Sequence, residues 1–207
     1  RTRDMAVDPR VDHYFVNSPI IERRLWKYYK RDSEVLYPPV ELDQYYNDGD
    51  HGFFLHLGRL DEEKGVPEVV TAFEKLDERL VMAGGRGDIK DSVIDRINGA
   101  ENIHWKGFVD ESKKLELLAR CTAVVFNGCN EDFGIVPIEA NASGKSVLAR
   151  NEGFPSVFVE GGVNGRHHDG TVSGIRSVVA KENNPLKKAG EYVSQVSMLS
   201  FHDHVRR

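Results

Sequence analysis

Short apolar runs alternate along this chain with longer stretches in which apolar residues recur every three or four positions. The short runs have the length of buried strands and fall at 53–57, 80–83, 103–107, 123–127 and 146–149. The longer stretches place apolar residues on one face, as amphipathic helices do, and fall at 66–77, 89–98, 111–120 and 135–143. Strands that alternate with helices predict a parallel sheet with helices packed on both of its faces. The pattern therefore predicts an α/β fold of the doubly wound, Rossmann-like class.

The N-terminal part of the chain precedes this alternation. Ser18 followed by Pro19 is typical of a helix start, and the residues after it predict a helix to about Lys30. A short strand and an acidic linker are then expected at 34–37 and 41–52. These weaker signals indicate a lead-in to the main domain.

After Gly165 the pattern predicts a short strand and then helices near 173–181 and 186–200. We therefore divide the chain into an interdomain lead-in, residues 1–44, and a binding domain, residues 45–207. The sequence begins with Arg rather than Met. We expect it to be part of a longer protein whose upstream targeting signals are not visible here.

One segment carries two glutamates around a Phe-Gly pair. Residues 130–140 place Glu131 at the start of a predicted helix and Glu139 inside its first turns. A helix N-terminus exposes backbone N–H groups and a positive dipole end, which suit a phosphate, and carboxylates accept hydrogen bonds from sugar hydroxyls. The segment therefore predicts a ligand with a phosphate between two polyols. Taken singly, Glu131 could instead stabilise its own helix, and Glu139 could lie on a solvated or ion-paired helix face.

A second segment carries two cations after a predicted strand. Gly58 turns the chain, and Arg59 and Lys64 stand in the loop before the next helix. Open α/β sheets bind ligands at the carboxyl ends of their strands. Arg offers a planar fork for phosphate oxygens, and Lys offers a movable point charge. Alone, this loop would be interpreted as solvated surface; with the two glutamates it predicts a phosphate site.

Together these motifs resemble the nucleotide-sugar-binding half of the family-4 retaining glycosyltransferases, which belong to group 1 and have the GT-B architecture. Further matching blocks stand in family order at 16–18, 35–40, 80–85, 102–109 and 139–147. The resemblance covers residues from about 12 to 170. Cys121-Thr122-Ala123 and the Asp132 that follows Glu131 are most similar to the mannosyltransferase-like branch.

The resemblance implies a role for each matching residue. Arg59 and Lys64 would grip the diphosphate, Glu131 would hold hydroxyls of the transferred sugar, and Glu139 would chelate the ribose. The other donor-binding residues it implies are Gly58, Phe133, Gly134, Ile135 and Val136 near the phosphates, and Gly107, Phe108 and Val109 along the base. It implies no cofactor and no metal ion, because cations stand where metal-dependent transferases use an Asp-x-Asp pair.

The chain departs from the family pattern beside the predicted donor pocket. Ser146 replaces a usual proline, the segment 127–130 replaces a common Pro-Ser lead-in, and residues 152–157 differ from the usual acidic motif. These departures bear on which donor is bound. The family's N-terminal acceptor domain, with the histidine that it contributes, is not in this sequence.

The composition of the chain argues against several classes of protein. The 207 residues are 40% hydrophobic and carry a net charge of −5, which disfavours a nucleic-acid-binding surface. No apolar run reaches the roughly 18 residues of a membrane span. Cys121 and Cys129 provide neither a disulfide framework nor a metal cluster, which fits a reducing cytoplasm. The full-length protein is expected there, or peripherally on the cytoplasmic membrane face, where it would meet a lipid-linked or saccharide acceptor.

Three other motifs have simpler interpretations. Residues 144–146 end like a phosphate-binding P-loop but follow a helix and enter a strand, which reverses the required order. Residues 84–87 lack the third glycine of a dinucleotide fingerprint and are predicted to form a tight turn, with contact between this loop and a base as the open alternative. His167, His168 and the 202–204 cluster lack metal-ligand spacing and are expected to be surface histidines.

The sequence thus predicts the donor domain of a retaining glycosyltransferase that uses a nucleoside diphosphate sugar, with GDP-mannose favoured. Without its acceptor domain the chain is expected to bind donor and to transfer nothing. Two other classes remain open: a fragment of a GT-B sugar-nucleotide epimerase, and a noncatalytic nucleotide-sugar-binding module.

Overall fold

The described structure begins with a small strand-helix-strand unit. The computed structural model describes residues 11–182 of the chain. Strand β1 (Phe15–Val16) pairs in parallel with β2 (Glu34–Val35), and helix α1 (Pro19–Tyr29) connects them. The Ser18 Oγ accepts a hydrogen bond from the Ile21 N–H at 3.4 Å, which confirms the predicted helix start. The sequence did not predict β1, and β2 is shorter than the expected strand at 34–37.

Six parallel strands form the main sheet, as predicted. They are β3 (Phe54–Leu57), β4 (Leu80–Ala83), β5 (Ile103–Trp105), β6 (Ala123–Phe126), β7 (Ser146–Arg150) and β8 (Gly165–His168). Their order across the sheet is β5-β4-β3-β6-β7-β8. The order reverses between β3 and β6, and open α/β sheets bind their ligands in the crevice at such a switch point.

Six helices follow or connect these strands. They are α2 (Val66–Phe73), α3 (Asp91–Gly99), α4 (Glu111–Arg120), α5 (Ile135–Ala142), α6 (Pro155–Phe158) and α7 (Val172–Glu182), and a 3-10 turn lies at Leu42–Gln44. The sequence predicted all but the short α6 and the 3-10 turn, and α2 ends four residues earlier than expected. The helix expected near 186–200 lies outside the described residues. Within residues 11–182, no helix is long and apolar enough to cross a membrane.

The core lies on both faces of the main sheet. Helices α2, α3 and α7 cover one face, where Phe73, Ile97 and Ile175 are buried. Helices α4 and α5 contribute Leu118 and Ala140 to the cluster on the other face. These five helices therefore bury the apolar faces that their sequence patterns predict, and the doubly wound class is confirmed.

The loops that follow β3, β4 and β5 lie directly against one another. Gly84 has a φ of +141°, and a Cβ there would lie 1.9 Å from the Gly58 carbonyl oxygen. The Gly84 N–H donates to the Gly107 carbonyl at 2.8 Å, and the Trp105 Nε1–H donates to the Gly84 carbonyl at 3.0 Å. The glycine-rich turn is therefore a close backbone crossing that links three strand ends.

The P-loop-like residues have a structural role. Lys145 lies between α5 and β7 and is only 5% exposed. Its Nζ donates to the Gly49 carbonyl at 2.5 Å and to the Asn47 Oδ1 at 3.1 Å. The side chain thus fixes the linker at 41–52 against the domain, and the interpretation that this is not a P-loop is confirmed.

His167 and His168 were both expected at the surface, and the structure contradicts this for His168. His168 is 5% exposed, so its predicted surface position is wrong, because β8 brings it into the sheet beside β7. Its ring nitrogens have partners: Nδ1 accepts from the Gly170 N–H at 3.1 Å, and Nε2 lies 3.3 Å from the Leu148 carbonyl oxygen. His167 is half-buried and contacts the Val159 carbonyl at 2.7 Å. Residues 202–204 lie outside the described part.

Candidate functional site

A cavity of about 110 Å³ lies where the sheet order reverses, at the carboxyl ends of β3 and β6. Its walls come from both strands, from the loops after them and from the start of α5. The lining residues are His56, Leu57, Gly58, Lys64, Phe126, Asn127, Gly128, Glu131, Gly134, Ile135 and Val136. The two sequence motifs that predicted a ligand site, which are about 70 residues apart in the chain, therefore meet in one crevice.

An ion pair forms one wall of this cavity. Lys64 Nζ lies 2.5 Å from Glu131 Oε2, and the two side chains are 33% and 20% exposed. Lys64 reaches the cavity from the turn before α2, and Glu131 from the loop before α5. Both were predicted site residues, and the structure brings them into direct contact.

The first turn of α5 faces the same cavity. Gly134 precedes the helix with a φ of +73°, and a Cβ there would lie 2.9 Å from Pro155 Cγ. The first N–H groups of a helix have no partner within the helix, and they carry the positive end of its dipole. Because Gly134, Ile135 and Val136 line the cavity, this helix end presents its N–H groups and the positive end of its dipole to the cavity beside Lys64.

The Phe133 ring points away from this wall. It stacks on Phe154 with ring centroids 5.4 Å apart and packs against Tyr37 at 6.2 Å. Phe133 is 6% exposed and, among the described residues, does not belong to the cavity lining. Its side chain therefore anchors the loop that carries Glu131 and Gly134.

Arg59 lies beside the cavity without lining it. Its guanidinium is 73% exposed, and Nη2 lies 3.0 Å from Asp61 Oδ2. Asp61 is buried, and its Oδ1 accepts a hydrogen bond from the Asp88 N–H at 3.1 Å. A buried carboxylate therefore holds the exposed guanidinium one residue from Gly58, which does line the cavity.

Glu139 lies deeper along α5, outside the cavity lining. Its side chain is 6% exposed, and Oε1 accepts from Lys114 Nζ and from the Tyr45 hydroxyl, both at 2.8 Å. Burial and the bond to Glu139 raise the pKa of Tyr45 above its usual range. Only Oε1 of Glu139 has donors among the described residues, so one carboxylate oxygen holds the linker and α4 against α5.

The predicted base-lining segment lies at the edge of the sheet. Gly107, Phe108 and Val109 follow β5, which β4 separates from β3. Phe108 is 85% exposed, whereas Val109 packs against the core. The segment contacts the central loops through the Gly84–Gly107 hydrogen bond and does not line the cavity formed by the described residues.

Sequence reasoning missed three polar residues at or near the site. His56 and Asn127 line the cavity and are 4% and 0% exposed. Arg24 of α1 reaches the loop beside Glu131, where its Nη1 lies 2.5 Å from Asp132 Oδ1. Two of these residues gave a signal in the sequence. His56 is a polar residue inside an apolar strand pattern, and Asn127 lies in the segment 127–130 that departs from the family motif. Nothing in the sequence indicated Arg24.

The sequence also contains an Asp-x-Asp pair, at Asp48 and Asp50. Asp48 Oδ2 pairs with Arg120 Nε at 2.8 Å, and Asp50 Oδ1 accepts from the Thr122 hydroxyl at 2.6 Å. Both aspartates precede β3 and so lie at the amino end of the strands, opposite the cavity. Within residues 11–182, no group of three His, Cys, Asp or Glu side chains converges.

The fold and site together define a class of protein: an α/β domain that presents a cation, a carboxylate and a helix N-terminus at the switch point of a parallel sheet. Within this class, residues 41–194 match the family model described as "Glycosyl transferases group 1". The chain therefore belongs to the group 1 glycosyltransferases.

Curated relatives agree with this family. The chain is 26% identical over 170 residues to an uncharacterised glycosyltransferase of Methanocaldococcus jannaschii, covering 81% of this chain and 45% of that protein. It is 25% identical over 205 residues to the alpha-1,3/1,6-mannosyltransferase ALG2 of Saccharomyces cerevisiae, covering 74% of this chain and 41% of that protein. The chain thus spans less than half the length of either relative.

Solved structures share the fold. The sucrose-phosphate synthase of Thermosynechococcus elongatus superposes with a TM-score of 0.85 at 17% identity, over 99% of this chain and 58% of that one. Anabaena HepE, solved in complex with UDP and glucose, superposes with a TM-score of 0.81 at 18% identity, over 96% of this chain and 63% of that one. The six-stranded parallel sheet is therefore that of the GT-B glycosyltransferase domains.

Proposed function

We propose that this chain is the donor-binding domain of a family-4 retaining glycosyltransferase and that its cavity holds the diphosphate and the transferred sugar of a nucleoside diphosphate sugar. The observation that carries the proposal is the Lys64–Glu131 pair at the mouth of α5, where the sheet order reverses. A cation and a carboxylate side by side suit a ligand that presents a phosphate next to hydroxyl groups.

Lys64 and the first turn of α5 act on the diphosphate. Cleavage of the glycosidic bond leaves negative charge on the terminal phosphate of the leaving nucleotide. A fixed cation and oriented N–H groups stabilise that charge as it develops. Arg59, which is 73% exposed at the edge of the cavity, supplies the second cation once the phosphates are bound.

The two glutamates hold hydroxyl groups at the two ends of the donor. Glu131 lies in the cavity and accepts from hydroxyls of the transferred sugar. Glu139 lies further along α5 and accepts from the ribose through Oε2, since Oε1 already accepts from Lys114 and Tyr45. The base then extends toward Gly107, Phe108 and Val109 at the end of β5.

Retention in this proposal requires no protein nucleophile. The leaving phosphate takes the proton from the acceptor hydroxyl, and that oxygen bonds to the anomeric carbon on the face that the phosphate leaves. The acceptor-binding half of the protein lies outside this chain, so the chain alone binds donor without transferring sugar. We place the full-length enzyme in the cytoplasm, where it meets a lipid-linked or saccharide acceptor.

GDP-mannose is the proposed donor. Support comes from the similarity to ALG2, a mannosyltransferase, over 205 aligned residues. The motif departures at 127–130 and 152–157 flank the cavity, and a panel of donors is therefore the first measurement.

The test is thermal stabilisation and calorimetric titration of the 207-residue chain with GDP-, UDP- and ADP-sugars and with the matching nucleoside mono- and diphosphates. One sugar nucleotide is expected to stabilise the chain, and the diphosphate is expected to bind more tightly than the monophosphate. Replacing Arg59 and Lys64 together by Ala should lower diphosphate affinity by about a hundredfold, because charge-assisted hydrogen bonds are lost.

Lys113→Ala is the matched control, because Lys113 Nζ pairs with Glu116 on the surface of α4 and lies outside the cavity. Its affinity should equal that of the parent chain. Equal binding of mono- and diphosphate would refute the phosphate assignment. Each titration is repeated with a chelator, which should leave affinity unchanged; loss of binding that manganese restores would refute metal independence.

A further inference from the structure

His56 is a buried side chain whose polar atoms are unused within the described structure. It lies on β3, lines the cavity and is 4% exposed. Neither ring nitrogen has a hydrogen-bond partner of ordinary length and angle among the described residues. Burial lowers the pKa of His56 to about 4, although a weak hydrogen bond with the Val125 backbone acts in the opposite direction, so the ring is neutral at pH 7. A neutral imidazole has one N–H donor and one acceptor nitrogen.

Asn127 offers a third unused polar atom in the same cavity. Its side chain is fully buried, and Nδ2 donates to the Gly65 carbonyl at 3.0 Å. That bond fixes the orientation of the amide, which leaves Oδ1 as the free acceptor. Oδ1 has no partner among residues 11–182. The cavity floor therefore presents one donor and two acceptors without partners.

Unpaired buried polar atoms destabilise a fold, and most buried polar groups in native proteins are paired. His168 shows the usual arrangement in this chain, because it is equally buried and both of its ring nitrogens have backbone partners. Other buried atoms of the described residues also have no partner, Ser146 Oγ and His167 Nδ1 among them, but of these residues only His56 and Asn127 line the cavity. Their unpaired atoms are therefore the ones that a ligand in the cavity can satisfy.

The hydrogen-bonding capacity of the unpaired atoms of His56 and Asn127 indicates which chemical group of a ligand would pair with them. A phosphate oxygen only accepts hydrogen bonds, so it could pair with the imidazole N–H but would face two acceptors. A hydroxyl group donates once and accepts up to twice, so one hydroxyl pairs with the imidazole N–H and one acceptor, and a neighbouring hydroxyl pairs with the other acceptor. We propose that His56 and Asn127 form a hydroxyl-recognising floor that holds two neighbouring hydroxyls of the transferred sugar. This inference rests on the proposed function and assigns to that site a second sugar contact besides Glu131.

The test compares sugar-bearing and sugar-free ligands on His56→Leu, which keeps an apolar side chain of similar size and removes both ring nitrogens. The probes are GDP-mannose and GDP, or UDP-glucose and UDP if the parent chain prefers uridine. Calorimetry should show about a tenfold loss of affinity for the sugar nucleotide and less than about a twofold change for the diphosphate. Without ligand, the melting temperature should be unchanged or higher, because unpaired polar atoms have been removed.

His168→Leu is the matched control. It should lower the melting temperature, because two hydrogen bonds are lost, and it should leave the ratio of the two affinities unchanged. His56→Gln retains a donor and an acceptor and should keep most of the preference for the sugar nucleotide.

An unchanged affinity ratio in His56→Leu would overturn the inference and would indicate that the floor holds only water. A fall in melting temperature as large as that of His168→Leu would also overturn it, because His56 would then have internal partners. If the parent chain binds no sugar nucleotide of the GDP-, UDP- and ADP-sugar panel, the proposed function itself fails; if it binds one and the ratio does not change, only the hydroxyl floor fails.

Discussion

Glu131 and Glu139 stand eight positions apart in the sequence but have different environments. Glu131 lies in the cavity against Lys64, whereas Glu139 is almost fully buried against Lys114 and Tyr45. Under the proposed function, Glu131 contacts the reacting end of the donor and Glu139 contacts the ribose, which does not change during transfer.

Substitution of these two glutamates should have different kinetic effects in the full-length enzyme. Glu139→Gln weakens the ground state and the transition state alike, so the Michaelis constant should rise while turnover stays nearly intact. Glu131→Gln removes a contact beside the developing charge, so turnover should fall about a hundredfold or more. Steady-state kinetics of both variants, measured beside the parent enzyme, test the difference.

Binding to the isolated chain provides a second check. Glu131→Gln leaves the Lys64 cation without its carboxylate partner, so a sugar-free nucleoside diphosphate should bind at least as tightly as it does to the parent chain. The same loss of diphosphate affinity and the same turnover in both variants would contradict the assignment of the two roles.

At the residue scale, the sequence predicted charged side chains that line the cavity. It did not predict which of these side chains pair with each other. Lys64 and Glu131 were both predicted from motif and position, but their ion pair depends on how two loops pack. The resemblance to the glycosyltransferase motif predicts that Phe133 binds the donor. Its ring packs against Phe154 and against Tyr37, almost a hundred positions earlier, and no local pattern indicates such a distant contact.

At the scale of helices and strands, periodicity located the elements but not every end. Helix α2 ends at Phe73 although apolar spacing continues to Leu76. The Asn102 Nδ2, from the turn before β5, donates to the carbonyls of Phe73, Leu76 and Glu78 at 2.9 to 3.0 Å. A side chain some 25 residues away thus stabilises the chain's exit from the helix by pairing with carbonyls of its last residue and of the turn that follows. A sequence pattern limited to the helix itself does not contain this information.

The close crossing of the loops after β3 and β4 requires Gly84. A Cβ at this position would clash with the Gly58 carbonyl oxygen, and a φ of +141° is unfavourable for any residue with a side chain. Gly84→Ala should therefore destabilise the chain by about 2–4 kcal/mol. Urea denaturation of the 207-residue chain measures this change.

Gly99→Ala is the control for Gly84→Ala. Gly99 is the last residue of α3, and a Cβ there meets no atom within 4 Å. Its replacement should leave stability unchanged or raise it by up to about 1 kcal/mol, because Ala favours the helix. Similar denaturation midpoints for the two variants would show that the crossing tolerates a side chain.

At the scale of the whole molecule, the fold class and the location of the site followed from the order of strands and helices. A parallel sheet with right-handed crossovers has few possible topologies, and its switch point is the usual ligand site. The β1–α1–β2 unit was only partly predicted: the sequence located α1, but β1 and β2 have two residues each and are too short to give an alternating or continuous apolar pattern. Its Arg24 nevertheless reaches the loop beside the cavity, through a contact that depends on tertiary packing alone.

The hydrogen bond from Trp105 to Gly84 has an optical consequence. It connects an indole ring at the end of β5 to a loop whose backbone touches Gly58, at the wall of the cavity. Indole emission depends on local polarity, so occupation of the cavity should change the fluorescence of Trp105. The chain has one other tryptophan, Trp26 on α1, which is 53% exposed. Trp26→Phe should therefore leave a single-tryptophan reporter whose titration curve follows that from calorimetry; binding heat without a change in emission would show that the crossed loops do not respond to the ligand.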